Sequence, residues 1–138
     1  MTVREIAATD IVTADREETL AEVVERMADE KVGCVLVGDG DELVGIVTDR
    51  QIALSLGDHP DASDRTVGDV MTEDPVTVEP ETGIFEAIQR MDEASVRRLP
   101  VVEDDRIAGI VTLDDVLVAL AEEFDTAVEV IEAQSPRF

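Results

Sequence analysis

Lysine is nearly missing from this chain: Lys31 stands alone beside ten arginines. Tryptophan and tyrosine are absent, and cysteine and histidine occur once each. Each shortage excludes something. With 11 basic against 34 acidic residues the net charge is −23. Such a surface repels nucleic acid, whose binding needs lysine and arginine to displace counterions, and it is disfavoured at anionic membranes for the same reason. A lone Cys34 leaves no intramolecular disulfide and nothing that argues for export. His59 lies beside Pro60 in a turn-rich stretch with no serine, cysteine or acid partner marked out for it, so it reads as an exposed loop residue. Cys34 reads as a small buried hydrophobe. Cysteine–histidine spacing of a metal site is absent. Asp39, Asp41 and Glu42 lack the twelve-residue calcium-loop pattern and read as a solvated tip. No apolar run reaches the length of a membrane span, and Met1-Thr2-Val3-Arg4-Glu5 is no apolar leader. The expectation is a soluble cytoplasmic protein with no catalytic centre and no metal site.

What the chain does have is hydrophobic residues, which make up 44% of it and fall in regular patterns. That excludes an acidic disordered tail. A dense single-sign charge on a folded protein suits concentrated salt, where at 1 M the screening length is about 3 Å. In dilute buffer the same charge would push the fold apart. The expected setting is the cytosol of an extreme halophile.

The chain also says the same thing twice. Residues 2–56 align with residues 66–120 at a constant offset of 64, without a gap and with 17 identities over 55 positions. Thr2-Val3 returns as Thr66-Val67, Arg26-Met27 as Arg90-Met91, and Gly45-Ile46-Val47-Thr48 as Gly109-Ile110-Val111-Thr112. A gapless repeat implies two copies of one unit, each covering the other's apolar face, with clefts between them where small ligands bind. Halves of roughly 60 residues are near the lower limit for folding alone, so they are expected to depend on each other. The divisions are residues 1–57, a polar linker over 58–65, residues 66–120, and a helical extension and tail over 121–138.

Each repeat carries the same order of signals. Ile11-Val12-Thr13 and Val76-Thr77-Val78 read as short strands. Leu20, Val23, Val24 and Met27, and then Ile84, Ala87, Ile88 and Met91, recur at helical spacing and predict buried faces. Val35-Leu36-Val37 and Leu43 to Val47 flank a turn at Gly38-Asp39-Gly40-Asp41. Leu99 to Val102 and Ile107 to Val111 flank Glu103-Asp104-Asp105. Both read as hairpins, with Pro100 at a strand start or edge. A second helix follows from Asp49 and from Leu113. The unit is β-α-β-β-α after a short helical turn, an α/β (α+β-like) fold with small mixed sheets flanked by helices. The first closing helix stops at Gly57. The second continues through Val116, Leu117, Leu120, Phe124, Val128 and Ile131, either capping its own core or meeting a partner.

The sharpest constellation is the junction of the last strand and last helix. Thr48…Gln51 and Thr112…Asp115 have the spacing of a capping box, which satisfies free amides without any ligand. The same geometry offers an anion a helix N-terminus and a hydroxyl. Arg97-Arg98 adds guanidinium groups suited to phosphate, or else a surface pair balancing nearby acids.

The order Asp69-Val70-Met71-Thr72, Pro75-Val76-Thr77-Val78, Arg97-Arg98-Leu99-Pro100-Val101-Val102 and Gly109-Ile110-Val111-Thr112-x-x-Asp115 resembles a cystathionine β-synthase (CBS) domain. The first repeat is similar but less complete, and residues 2–120 together resemble a tandem CBS pair, or Bateman module. The resemblance implies two units about a pseudo-twofold axis and two clefts that bind adenosine ligands. It implies ribose contacts for Asp115, a ribose or phosphate contact for Thr112, and phosphate contacts for Arg97 and Arg98. It further implies adenine contacts around Val76, Thr77 and Val78, with Ile110 as an apolar wall. Thr48, Gln51 and Val12 are the first-repeat counterparts. There Gln51 replaces the ribose aspartate and Gly33-Cys34 stand in place of the arginines, so two unequal sites are expected, the Thr112–Asp115 site stronger and the Thr48 site weaker or empty.

The expected function is a non-catalytic regulatory module that senses AMP, ADP or ATP, with salt screening or magnesium assisting phosphate binding. S-adenosylmethionine and NAD are the less favoured ligands. A homodimer and a regulated protein partner are expected; nucleic acid and membrane are not. The rival reading is an interaction scaffold in which Thr-x-x-Asp serves only as a cap.

Overall fold

A computed structural model describes residues 1–134 and Pro136; part of the expected tail (Ser135, Arg137 and Phe138) lies outside the described residues. The first repeat forms α1 (Val3–Ile6), β1 (Thr13–Asp15), α2 (Leu20–Glu30), β2 (Cys34–Asp39), β3 (Glu42–Thr48) and α3 (Asp49–Asp58). After a single 3-10 turn at Ala62–Asp64 the second forms α4 (Val67–Val70), β4 (Thr72–Glu73), α5 (Ile84–Ala94), β5 (Arg98–Glu103), β6 (Arg106–Thr112) and α6 (Leu113–Gln134).

Local chemistry explains where these elements start and stop. Helix α2 opens on a capping box in which the Glu22 amide donates to Thr19 Oγ1 at 3.2 Å and the Thr19 amide to Glu22 Oε2 at 3.3 Å. Such reciprocal bonds use amides that the helix itself leaves unpaired. The helix ends at Lys31, which takes a left-handed conformation with φ 56°, as Ser95 does after α5 with φ 55°. Leu20, Val23 and Met27 are buried, as are Ile84, Ala87 and Met91. Val24 departs from the sequence expectation. It is 45% exposed, because at about 100° per residue it points about 65° away from the mean direction of Leu20, Val23 and Met27.

The mixed sheet has order β1-β2-β3-β4, with β1 parallel to β2 and the other pairs antiparallel. The second repeat builds the same scheme more sparsely. Strands β5 and β6 pair along their length, while Val78 bridges Val101 in parallel and Ala8 bridges Ile110 in antiparallel fashion. The expected strand over Val76-Thr77-Val78 thus contributes a single bridge. Pro75 and Pro80 bracket it, and neither has an amide to donate to a ladder. Val12 likewise lies outside β1, giving only its carbonyl to the Leu36 amide at 3.0 Å. Pro100 is the third residue of β5, and its carbonyl accepts from the Val78 amide at 3.0 Å.

The repeats exchange their first helices. The amides of Val3 and Arg4 donate to the carbonyls of Thr82 and Pro80, and those of Val67 and Gly68 to Glu18 and Arg16. One core joins Leu20, Val23, Val35, Val37 and Val47 with Val67 and Met71. The other joins Val78, Met91, Leu99, Val101 and Val111 with Val3. Each core therefore contains residues of both repeats. The exchange also explains the glycine in Gly-Ile-Val-Thr. A Cβ at Gly109 would sit 2.5 Å from the Ala8 carbonyl oxygen, and one at Gly45 would collide with the Met71 sulfur.

Candidate functional site

The exchange opens two clefts between the repeats. The larger, about 610 Å³, lies between the β3–α3 junction and the start of β5, lined by Ile46, Thr48, Gln51, Thr72, Val76, Arg97 and Arg98 among others. The smaller, about 240 Å³, lies between the β6–α6 junction and the start of β2, lined by Val12, Gly33, Cys34, Leu36, Ile110 and Thr112 among others.

This pairing regroups the residues expected from the sequence. Thr112 and Ile110 face Val12, whereas Arg97, Arg98 and Val76 face Thr48 and Gln51. The reason lies in the exchange: each strand–helix junction faces the other repeat. The arginine pair thus meets the glutamine-bearing junction, and the aspartate-bearing junction meets Gly33-Cys34. Val78 is 1% exposed within the second core. Thr77 lines a separate depression, and its carbonyl accepts from Arg90 Nη1 at 2.8 Å. Neither residue lines a cleft.

Both junctions are capping boxes. The Asp115 amide donates to Thr112 Oγ1 and the Thr112 amide to Asp115 Oδ2, each at 3.1 Å. Asp115 is committed to this cap and lines neither cleft. In the first repeat the Gln51 amide donates to Thr48 Oγ1 at 3.2 Å and the Thr48 amide to Gln51 Oε1 at 2.9 Å. Gln51 Nε2 then reaches across the repeat boundary to Thr72 Oγ1 at 2.7 Å. The first-turn amides of α3 are therefore taken. Asp49 donates to Gly33 O, Arg50 to Asp49 Oδ1, and Gln51 to Thr48. An anion in the larger cleft is left the guanidinium groups and hydroxyls rather than the helix N-terminus.

Arg97 is exposed and pairs with Asp114 at 3.4 Å, a contact that solvent weakens. Arg98 is half-buried and takes part in none of the ion pairs among the described residues. Burial pushes the Cys34 thiol up to about 11, with the Arg98 guanidinium beside it pulling the other way. A thiol so placed is held neutral and is a poor nucleophile at neutral pH. His59 is an exposed residue at the end of α3. Among the described residues no three histidine, cysteine or acidic side chains come together to hold a metal ion, and no helix is long and apolar enough to cross a membrane.

Sequence reasoning passed over Thr72, Asp74 and Asp10. A signal for two of them was present, since Asp10 and Asp74 are an identical pair at the repeat offset; both line clefts.

The CBS domain family model matches residues 3–58 and again residues 67–122. The chain belongs to the CBS domain family. Its two CBS domains form a CBS pair, a regulatory module. An uncharacterized protein of Methanopyrus kandleri is 34% identical over 122 residues, which make up 85% of this chain and 61% of that protein. The chain thus spans about three-fifths of that relative. The crystal structure of Hypoxic Response Protein I with two coordinated zinc ions is 31% identical with a TM-score of 0.76, over 85% of this chain and 97% of that one. CBSX2 in complex with AMP is 28% identical with a TM-score of 0.76, over 88% and 96% of the two chains.

Proposed function

We propose that this CBS pair is a regulatory sensor of adenine nucleotides whose principal site is the larger cleft. The observation that carries the reading is the convergence there of Arg97 and Arg98 with the hydroxyls of Thr48 and Thr72. A volume of about 610 Å³ falls within the range of small-ligand sites, about 300–1,000 Å³. Ile46, Val76 and Pro100 supply apolar walls for a base, standing in for the aromatic platform the sequence lacks. The arginines suit phosphate oxygens, and the hydroxyls suit a ribose. The AMP complex of CBSX2 supports an adenine nucleotide as the ligand class. The smaller cleft, with Asp115 withdrawn into its cap, is the weaker site. This reverses the ranking read from the sequence.

A sensor also needs two states or two partners that the ligand tells apart. Residues 121–134 of α6 stand exposed and carry Phe124 and Val128 outward, which supports the homodimer and the regulated partner as parts of this reading. The same feature favours the scaffold as the second reading.

Calorimetric titration in molar potassium chloride, with and without magnesium, separates the two. Saturable heat from AMP, ADP or ATP is the expected outcome. Absence of heat and of thermal stabilisation from all three, in folded protein, leaves the scaffold.

A further inference from the structure

The smaller cleft corresponds residue for residue to part of the larger, with one exception. Thr112 and Ile110 of the smaller cleft match Thr48 and Ile46 of the larger, Val12 matches Val76, and Gly33 and Cys34 match Arg97 and Arg98, all at the offset of 64. Every residue lining the smaller cleft has its counterpart lining the larger, except that Arg98 lines both. The guanidinium reaches from its own repeat to the place where the first repeat has Cys34, its positional twin. It is the one basic residue lining the smaller cleft. No carboxylate holds it among the described residues, so a contact with a neutral sulfur is what a stronger anion would compete against. Phosphate carries the opposite charge and can accept from both prongs of the guanidinium fork, which a neutral thiol cannot.

We propose that Arg98 is shared between the clefts and links them: a phosphate seated in the larger cleft draws the guanidinium away from Cys34, strips the smaller cleft of its cation, and lowers its affinity for a second anion. This rests on the reading that the larger cleft takes a phosphorylated nucleotide. The coupling is reciprocal, as any equilibrium link between two sites must be, and it gives the pair negative cooperativity toward anionic ligands.

The single cysteine reports the charge of the smaller cleft. Iodoacetate and iodoacetamide both alkylate the Cys34 thiolate, forming a bond from sulfur to the reagent's methylene carbon as iodide leaves with its electron pair. They are of similar size and differ in charge, so the ratio of their rates cancels thiolate fraction and access. The ratio is measured at one pH, in the folded 138-residue chain, without ligand and at AMP concentrations that saturate by calorimetry. On AMP binding it is expected to fall about fivefold, the effect of one cation at contact distance in water. In Arg98→Met, shown folded by circular dichroism, it is expected to be low already and to stay unchanged with AMP. If AMP binds and the wild-type ratio does not move, the link is overturned while the nucleotide reading stands. If AMP blocks both reagents equally, the nucleotide occupies the smaller cleft and both readings are overturned. If calorimetry detects none of AMP, ADP and ATP, the nucleotide reading fails and takes the link with it.

Discussion

Arg26 and Arg90 occupy the same position of the repeat and do the same work: each donates from Nη1 to the carbonyl of Thr13 or Thr77 at 2.8 Å, tying helix to strand segment. They differ in their acids. Arg26 also pairs with Glu18, whose counterpart in the second repeat is Thr82, while Arg90 turns to Glu86. The Arg26 hydrogen bond holds the Glu18 carboxyl below the usual carboxylate range. A group depressed in the folded state stabilises fully above its unfolded value, here 4.5, and loses that contribution as pH falls through the lower folded value. Glu18→Gln is therefore expected to cost stability at pH 7 and to cost progressively less below about pH 4.5, as read from denaturant midpoints against pH. A cost that is constant down to acid pH would show that the pair is not the source. A second residue-scale expectation concerns the hairpin of the second repeat. Asp104 and Asp105 take φ 51° and 62°, the left-handed region that two-residue turns of this hand require and that glycine occupies without strain. Relief of left-handed strain, about 1–2 kcal/mol, less glycine's entropy cost, about 0.5–1 kcal/mol, makes Asp105→Gly more stable, seen as a higher urea midpoint. At this scale the sequence was easily read, because capping spacing and turn composition are local. Val24 was misplaced because the helix buries a face narrower than its apolar stripe.

At the scale of elements, helix starts and hairpins were legible and the thinnest strands were not. Strand β4 has two residues, Thr72 and Glu73, and it exists because the segment after α4, carried over to the first repeat, pairs with β3, a tertiary fact that no local pattern states. The strand expected at Val76–Val78 shrank to a bridge between two prolines. The Thr112–Asp115 box is a structural cap on α6. Asp115→Ala removes the capping-box bond to the Thr112 amide and is expected to cost about 1 kcal/mol of stability and to leave AMP affinity within about twofold, since the side chain lines no cleft. A large affinity loss without a stability loss would return Asp115 to the ligand. The outer half of α6 makes a similar test. All of residues 121–134 are exposed, so a chain ending at Glu122 is expected to keep its unfolding midpoint at dilute concentration. A fall of several degrees would mean that the helix seals the core.

For the whole molecule, the repeat made the two-unit fold legible, but not how the units pair. The grouping of the cleft residues followed from the exchange of α1 and α4, which places Val3 in the second core and Val67 and Met71 in the first. Arg97 and Arg98 were thereby given to Thr48 instead of Thr112. The exchange means that residues 1–60 made alone lack part of their core, and they are expected to remain unfolded by circular dichroism and proteolysis. A net charge of −23 opposes compaction until salt screens it, so the melting temperature is expected to climb from dilute buffer to molar potassium chloride. The central claim is that nucleotide binds where the arginine pair faces Thr48. The most direct test is AMP affinity, measured by calorimetry in molar potassium chloride, for Thr48→Val and Thr112→Val. Both threonine hydroxyls accept from an amide in the first turn of their helix, Gln51 or Asp115, so each variant controls for the loss of that cap in the other. Thr48→Val is expected to weaken AMP about tenfold, one hydrogen bond to a charged or polar ligand group, and Thr112→Val to leave it within about twofold. The opposite order, or equal losses, would contradict the claim.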